Sequence, residues 1–354
     1  MKKLSMEQMT EGMRLAKTVY SPNGRVMVAA GTELNSSIIQ KLKDKGLPSA
    51  YVEMEAETEE ESADEGVVSE KTVAVLYQAM YGLEQDLRIK KELSWERCKE
   101  PLFALIDEAV AHRGRLFCST DLRVNEAYLY GHSVNVALLS ILIGSTLGYN
   151  SLKLRELAVG ALFHDVGMFL LPAEVTYKRG PLNQSELRLV QEHPTQGFQI
   201  LRGRTDITAV TANIAYQHHE RLDGTGYPRR LPKDKILEMA QIVAVADVYD
   251  AMVSERVYRQ ALSPNRVINY LRANAGHIFE PVIVASLIKN VSEFNVGTSV
   301  RLNDGHTAEV IKINQADGRR PVVSLPDGQV INLMENQHLI IMEDQGPVRI
   351  LEEE

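Results

Sequence analysis

The sequence predicts a multidomain α+β protein, in which a central all-α bundle is flanked by a small N-terminal α/β or β unit and a small C-terminal β unit. Helix candidates with apolar residues at helical spacing fill the middle of the 354-residue chain. Short strand-like stretches precede them, and strand-like alternation broken by three Asp-Gly pairs follows them. A chain of this length can form two or three compact units.

The N-terminal unit is predicted for residues 1–52. The turn signal Ser21-Pro-Asn-Gly lies between two apolar stretches, and residues 35–42 have the pattern of a short helix. An acidic linker is predicted for residues 53–68, because eight of the thirteen residues from 53 to 65 are acidic. Such a run is usually solvated, and the alternative is that it binds a basic partner.

Helices are predicted for the next two segments. A helical bracing segment, residues 69–118, supports the following domain or forms a dimer contact, since its apolar residues recur at helical spacing. Residues 119–292 are predicted to form an all-helical domain. Its helix candidates are residues 128–147, 152–169, 184–201, 208–219, 240–254 and 264–275. The C-terminal β unit, with an acidic tail, is predicted for residues 293–354.

Composition excludes several classes of protein. The formal net charge of −8 argues against a protein that coats DNA or RNA. Two cysteines, Cys98 and Cys118, are too few for a disulfide framework or a thiolate zinc site. The first residues lack the apolar core of a signal peptide, and the longest apolar stretch, 134–147, carries polar residues and is too short to span a bilayer. We therefore expect a cytoplasmic protein without membrane insertion.

Five of the nine histidines lie between residues 132 and 219, several of them beside an aspartate or another histidine. Imidazole and carboxylate groups bind divalent transition metals, and metal-bound water is the usual nucleophile of metal-dependent hydrolases. A lone histidine on an apolar helix is more often a core residue. That structural interpretation is preferred for four histidines outside the group: His112, His277, His306 and His338. The concentration of the others predicts a metallo-hydrolase.

The helix candidates place these groups on separate helices, which a bundle can point at one interior point. His132 lies on one candidate, His164 and Asp165 on a second, and Asp247 on a third. Adjacent residues of a helix point about 100° apart, so His164 and Asp165 both reach metal only at the helix edge, where a carboxylate can bridge two cations. Three more histidines supply enough nitrogen for a second ion: His193, His218 and His219. Two such ions suit attack on a phosphodiester.

Several motifs follow one another through this domain. In chain order they are His132-Ser, His164-Asp-Val-Gly, His193-Pro-Thr-Gln-Gly, His218-His-Glu-Arg-Leu-Asp-Gly-Thr-Gly-Tyr-Pro, Ala246-Asp-Val-Tyr-Asp-Ala-Met with Arg256-Val-Tyr-Arg, and Gly276-His-Ile-Phe-Glu-Pro. In order and spacing they resemble the HD-GYP family of metal-dependent cyclic di-nucleotide phosphodiesterases. The resemblance covers roughly residues 120–292 and implies that the central bundle is an HD-type catalytic domain.

The resemblance also implies a site. The implied metal ligands are His132, His164, Asp165, His193, His218, His219 and Asp247. The implied substrate-binding residues are Asp223, Gly224, Gly226, Tyr227, Pro228, Arg256 and Arg259. Asp165 would be the catalytic carboxylate that bridges two divalent ions, iron or manganese. The implied reaction is hydrolysis of cyclic di-GMP to pGpG, GMP or both by a water that bridges the two metals.

Two residues depart from the family's pattern. Met168 stands where many members have a lysine that contacts a substrate phosphate, and methionine supplies neither charge nor a hydrogen-bond donor. By analogy with the loss of one transition-state donor, the rate would fall by about 10²–10³, unless Lys178 or Arg179 reaches the same place. Tyr128 stands where some members have a glutamate ligand for a third metal, so two metals are expected.

Two further functions stay open beside the active phosphodiesterase. One is a catalytically weak or inactive cyclic dinucleotide receptor that regulates a partner through the same pocket. Met168 favours the receptor, whereas the complete set of ligands favours the enzyme. The other is an HD phosphohydrolase acting on other nucleotides, against which the complete Gly-Tyr-Pro loop argues. Beside the cyclic dinucleotide, a homodimer and a protein that binds the flanking units are the partners left open.

Overall fold

The computed structural model describes residues 2–21, 25–47, 49–53, 67–90, 93–117, 128–178, 180–254 and 261–342. The acidic stretch 54–66, the segment 255–260 with Arg256 and Arg259, and the tail 343–354 lie outside the described residues, as does the side chain of Tyr128. The predictions about these residues therefore stay predictions.

The described N-terminal residues form two small antiparallel pairs of strands and one helix. The strands β1 (Lys2–Ser5) and β4 (Ser49–Val52) pair with each other, as do β2 (Val19–Tyr20) and β3 (Val26–Val28). Helix α1 (Ser36–Asp44) begins where Asn35 Oδ1 accepts a hydrogen bond from the amide of Ile38 at 2.9 Å. Buried aliphatic side chains such as Leu15 and Leu42 join this unit to the main hydrophobic core.

A pair of helices follows, α2 (Glu70–Lys90) and α3 (Glu96–Ala111), which pack on each other and on the first helices of the central bundle. We call this pair the α2–α3 hairpin. Its inner face is aliphatic and fully buried, as at Leu76, Leu83 and Leu102. Burial of one stripe of each helix explains why both form, since a helix in a protein owes most of its stability to the packing of its apolar face.

The central domain is helical, as predicted. Its helices are α4 (Tyr128–Thr146), α5 (Ser151–Leu162), α6 (Ala173–Thr176), α7 (Gln184–Val190), α8 (His193–Arg202), α9 (Ala209–Gln217), α10 (Glu238–Val253), α11 (Pro264–Ala273) and α12 (Pro281–Ile288). Two 3-10 helices, Val166–Leu170 and Lys233–Lys235, lie between them. Helix α10 packs against α4, α9, α11 and α12 and is buried almost all round, which makes it the centre of the bundle.

Two predicted helices are each broken in the structure. The candidate 152–169 ends as an α-helix at Leu162, and His164 and Asp165 lie in the turn before the 3-10 helix; we call these two residues the HD turn. The expectation that both extend from one regular helix is therefore wrong. The candidate 184–201 breaks after Val190, and α8 begins at His193 with Pro194 in its first turn. Pro194 has no amide hydrogen to donate to the carbonyl of Val190, four residues earlier, and its ring would clash with that carbonyl in a continuous helix.

The C-terminal residues form a four-stranded antiparallel sheet in the order β5 (Ser299–Arg301), β6 (Thr307–Lys312), β7 (Val322–Ser324) and β8 (Val330–Asn332). Its apolar face forms a hydrophobic cluster of its own, which includes Val310 and Val323. All three Asp-Gly pairs lie in the connections between consecutive strands, and two of their glycines, Gly305 and Gly328, have positive φ. The third glycine, Gly318, packs closely against another part of the chain instead.

One described helix, Leu129–Thr146, is long and apolar enough to cross a membrane, but 89% of that stretch is buried inside the protein. A core helix of a bundle passes the same test.

Candidate metal centre

Seven histidine and aspartate side chains from the central bundle converge in two groups. The first group consists of His132, His164 and Asp247, and the second of Asp165, His193, His218 and His219. Within each group the potential ligand atoms lie within 4.8 Å of one another. The structure thus brings together all seven side chains that the sequence singled out as ligands.

Asp165 lies between the two groups and turns one oxygen toward each. Its Oδ2 is 3.4 Å from His164 Nε2 and 3.8 Å from His132 Nε2. Its Oδ1 is 3.1 Å from His193 Nε2 and 3.5 Å from His218 Nε2. A carboxylate placed in this way has the geometry of a bridge between two cations.

Hydrogen bonds on the far side of each ring fix which nitrogen faces the centre. The Nδ1 atoms of His164, His193 and His218 lie 2.7, 2.7 and 2.8 Å from backbone carbonyl oxygens three residues earlier. A carbonyl oxygen only accepts, so each Nδ1 donates and each Nε2 presents its lone pair inward. His132 Nδ1 instead lies 2.8 Å from Asp250 Oδ2. Such outer hydrogen bonds orient metal-binding imidazoles.

The ring nitrogens that face the centre suit a bound cation, whereas in the absence of positive charge their contacts with one another are unfavourable. His193 Nε2 and His218 Nε2 are 3.2 Å apart, although each presents a lone pair. His164 Nε2 and His219 Nδ1 are buried and have no hydrogen-bond partner among the residues that the structure describes. Buried polar atoms are nearly always paired, and imidazole nitrogens with carboxylate oxygens suit a divalent transition metal.

The electrostatics of the site point the same way. Burial lowers the pKa of His218 to about 4 and that of His219 well below its usual value. Burial opposes ionisation of Asp165, but the neighbouring His164 and His193 outweigh it and lower the pKa of the carboxyl group. Burial also opposes a proton on His132, yet its hydrogen bonds to Asp247 and Asp250 raise the pKa of His132 to about 9. Asp165 is therefore ionised and His218 and His219 are neutral, as metal ligands must be. At His164, too, the neighbouring Asp165 outweighs burial and raises the pKa, so a cation bound by His132 and His164 would displace a proton from these rings.

A glycine at position 167 lets the second group form. A Cβ on Gly167 would lie 2.1 Å from the carbonyl oxygen of His193 and 2.8 Å from the amide nitrogen of Gly197. The backbone that follows the HD turn therefore touches the backbone of α8, which carries His193. This contact brings His193 within reach of Asp165.

The Gly-Tyr-Pro loop lies against the second group. The ring of Tyr227 stacks on His219 with 4.5 Å between ring centroids, and its amide donates to the carbonyl of His219 at 3.2 Å. Gly226 is required here because a Cβ would lie 2.4 Å from backbone atoms of the residues before the loop. Pro228 is half-buried beside them, and Gly224 has positive φ. Five of the seven predicted substrate-binding residues therefore lie in described positions in one loop.

Asp223 orders that loop. Its Oδ1 accepts hydrogen bonds from the amide and hydroxyl groups of Thr225 at 3.0 and 2.7 Å, and its Oδ2 lies 3.4 Å from His277 Nδ1. These contacts place the carboxylate within the fold of the loop.

Two residues of the site received no role from the sequence. Asp250, fully buried, holds both His132 and the side-chain amide of Asn135. Glu220, also buried, accepts hydrogen bonds from the amides of Arg229 and Leu231 at 2.8 and 2.9 Å and so closes the Gly-Tyr-Pro loop. The sequence did offer a signal for each residue. Asp250 is an acidic residue within a largely apolar helix, and Glu220 directly follows two histidines.

Met168 lies in the 3-10 helix after the HD turn, half-buried and packed against the main core. Lys178, one of two cations suggested as a replacement for the family's lysine, is engaged in an ion pair with Glu186. The other, Arg179, lies outside the described residues. His112, His277, His306 and His338 lie outside both ligand groups. Their assignment as core residues is nevertheless wrong, because His112 is only half-buried and the other three are exposed.

Comparison with known proteins identifies this arrangement. Residues 117–283 match the family model described as HD domain. A cyclic di-GMP phosphodiesterase of Pseudomonas aeruginosa is 30% identical over 234 residues, which are 66% of this chain and 56% of that protein. The chain belongs to the HD-GYP family. This HD-GYP chain spans little more than half the length of that relative.

Two other relatives are named for different cyclic dinucleotide substrates. A cyclic di-GMP phosphodiesterase response regulator of Xanthomonas campestris is 38% identical over 149 residues, 42% of this chain and 39% of the relative. A 3′3′-cGAMP-specific phosphodiesterase of Vibrio cholerae is 35% identical over 162 residues, 46% of this chain and 35% of the relative. The fold matches an HDG"Y"P protein from Bdellovibrio bacteriovorus with a TM-score of 0.51 and 18% identity, over 80% of this chain and 97% of that one.

Proposed function

We propose that this HD-GYP chain is a metal-dependent phosphodiesterase that hydrolyses cyclic di-GMP, with Asp165 as its central carboxylate. The observation that carries the proposal is the convergence of seven ligand side chains around Asp165, whose two oxygens face the two groups. The names of several relatives support a cyclic dinucleotide as the substrate.

The residues fit two divalent ions, iron or manganese, one in each group. Bound there, the ions would supply Lewis acidity and an activated water for attack on phosphorus. The protein's own part is to hold the ligands before substrate arrives: Asp250 and the backbone carbonyls fix the imidazole rings, and the buried bundle excludes other water. Addition of water would break one P–O3′ bond to give pGpG, and a second hydrolysis would give GMP.

The Gly-Tyr-Pro loop would form one wall of the substrate cleft. Its backbone approaches the ligand groups closely, and Tyr227 covers His219. Arg256 and Arg259 are proposed to bind phosphate or guanine, for which a planar guanidinium is well shaped.

A second candidate function is a receptor that binds the cyclic dinucleotide with little or no turnover. Met168 favours it, because no charge can come from this side chain and Lys178 is engaged elsewhere. The intact ligand groups favour the enzyme.

The deciding experiment uses the full chain loaded anaerobically with Mn²⁺ or Fe²⁺. Cyclic di-GMP, pGpG and GMP are followed by chromatography, with 3′3′-cGAMP as the competing substrate. We expect turnover, and we expect Asp165→Ala to lower it by more than the about 10- to 100-fold typical of losing a ligand's hydrogen-bond partner. Gly203→Ala is the matched control, since a Cβ there meets nothing within 4 Å.

If metal-replete protein binds cyclic di-GMP tightly but does not hydrolyse it, the proposal of an active phosphodiesterase is refuted and the receptor function is supported. Met168→Lys then tests the cause. A gain in rate of about 10²–10³ would show that the missing cation limits catalysis, and an unchanged rate would show that it does not. A preference for 3′3′-cGAMP would show that cyclic di-GMP is not the main substrate, while the proposed phosphodiesterase reaction would stand.

A further inference from the structure

A buried carboxylate outside the metal centre joins the α2–α3 hairpin to the helix that carries His132. Glu84 of α2 is only 3% exposed. One of its oxygens accepts a hydrogen bond from the hydroxyl of Tyr130, two residues before His132 on α4. The other accepts from Arg88 Nε at 2.8 Å. Both oxygens of this buried group are therefore held by defined donors.

The same network reaches the other side of the metal centre. Arg88 Nη1 also donates to the carbonyl of Leu171 at 3.4 Å, directly after the 3-10 helix Val166–Leu170 that follows the HD turn. The ring of Tyr130 packs against Phe169 of that 3-10 helix, with 5.9 Å between centroids. Glu84 and Arg88 thus link α4, which carries His132, to the segment that directly follows the HD turn.

A second contact of the hairpin meets the HD turn from its other end. Trp95, just before α3, packs edge-on against Phe163 at 6.3 Å between centroids, and Phe163 directly precedes His164. Trp95 Nε1 is itself fixed by Asp206 Oδ2 at 2.6 Å. The hairpin therefore contacts the chain on both sides of the HD turn.

We propose that Glu84 is a positioning residue of the metal centre, which holds helix α4 and the HD turn at a fixed separation. A buried, hydrogen-bonded carboxylate is a poor source of stability compared with apolar packing, but it selects one geometry, because a shift of α2 relative to α4 would separate it from the hydroxyl of Tyr130. A displacement of α2 would then change the spacing of the ligands. Only the kinetic measurement, kcat and KM for cyclic di-GMP, depends on the proposed function; the Kd for Mn²⁺ does not.

The test compares Glu84→Gln with Glu108→Gln in the full chain. Glu108 is a matched control: it lies on α3 and accepts hydrogen bonds from the amide of Ser69 and the hydroxyl of Thr72, at the far end of α2. Thr72 and Glu84 are separated by about 18 Å along α2, at about 1.5 Å per residue. Each variant removes one carboxylate charge from the hairpin and keeps the side-chain size.

The readouts are the Kd and stoichiometry for Mn²⁺ from calorimetric titration, the thermal midpoint without metal, and kcat and KM for cyclic di-GMP. We expect Glu84→Gln to raise the Kd for Mn²⁺ by about 2- to 30-fold and to lower kcat with little change in KM. Glu108→Gln is expected to move only the thermal midpoint. Equal losses of thermal midpoint with an unchanged Kd in both variants would overturn the proposal.

Tyr130→Phe removes the same hydrogen bond from its other end and decides the matter if Glu84→Gln does not fold. The double variant is expected to raise the Kd no further than either single change, because the two residues share one interaction. An additive effect would contradict this. If the wild-type chain binds Mn²⁺ but does not turn over cyclic di-GMP, the proposed function fails, while the Kd comparison still tests the role of Glu84.

Discussion

The close contact at Gly167 gives a prediction whose size follows from the geometry. In Gly167→Ala the new Cβ would lie 2.1 Å from the carbonyl oxygen of His193, whereas ordinary contacts begin at 3.4 Å. The backbones must therefore separate by about 1.3 Å, and neither side offers a flexible side chain that could yield. Overpacking of this kind costs about 1–3 kcal/mol, and contact with backbone places the cost near the upper end.

The displacement acts directly on the metal centre. His193 moves with its own carbonyl group, away from Asp165 Oδ1, which lies 3.1 Å from its Nε2. Because an error of about 1 Å in a reacting geometry can cost 10²-fold in rate, we expect Gly167→Ala to lower kcat by about that factor. It should also weaken one of the two Mn²⁺ sites.

The assay combines thermal unfolding, Mn²⁺ stoichiometry by calorimetry and turnover of cyclic di-GMP. Gly203→Ala, just after the end of α8, serves as the control, because its Cβ meets no atom within 4 Å. A Gly167→Ala protein with wild-type thermal midpoint and two undiminished Mn²⁺ sites would refute the reasoning, since the backbones would then have separated without disturbing His193.

Three further predictions follow. Asp250→Asn keeps an acceptor for His132 but removes its charge, and we expect the affinity for Mn²⁺ to fall by about 10- to 100-fold by calorimetry; an unchanged Kd would show that hydrogen bonding alone suffices. Burial raises the pKa of Cys98 to about 12, so at pH 8 the thiol keeps its proton, and peptide mass spectrometry should find it unmodified by iodoacetamide until the chain unfolds. Rapid labelling of native protein would contradict that burial. Glu220→Gln removes one of two acceptors for loop amides, so KM should rise more than kcat falls; a fall in kcat alone would place Glu220 in the chemistry instead.

The ligand residues could be predicted from sequence because chemistry limits the choice. Few residue types bind transition metals, and several of them together on apolar helices are costly to bury without a partner or an ion. Asp247 and His132 therefore stood out within apolar helices. The structure of the HD turn could not be predicted in the same way, because periodicity continues through Leu162 into the 3-10 helix, and the nearby glycines, Gly160 and Gly167, lie inside these helices and not at the break.

The supporting residues depend on contacts between distant segments, which periodicity does not report. Asp250 and Asp247 are three residues apart on one helix, and only packing against α4 shows that one faces the outer edge of His132 and the other its inner edge. The role of Gly167 likewise depends on where α8 crosses. Pro194, by contrast, is a local signal for the break in the candidate 184–201, since proline lacks the amide hydrogen that a continuous helix would need there.

The ligands around Asp165 are oriented by hydrogen bonds that the fold itself supplies. The inward nitrogens of His132, His164, His193 and His218 are aimed by a bond on the outer edge of each ring, to a backbone carbonyl or to Asp250. These bonds hold His193 and His218 with facing lone pairs 3.2 Å apart, which is unfavourable without positive charge between them. A site held in this way loses stability without a cation and regains it on binding, so that metal binding and stability are linked. The rigid outer contacts, including those of the α2–α3 hairpin, are therefore the means by which the rest of the chain can act on the centre.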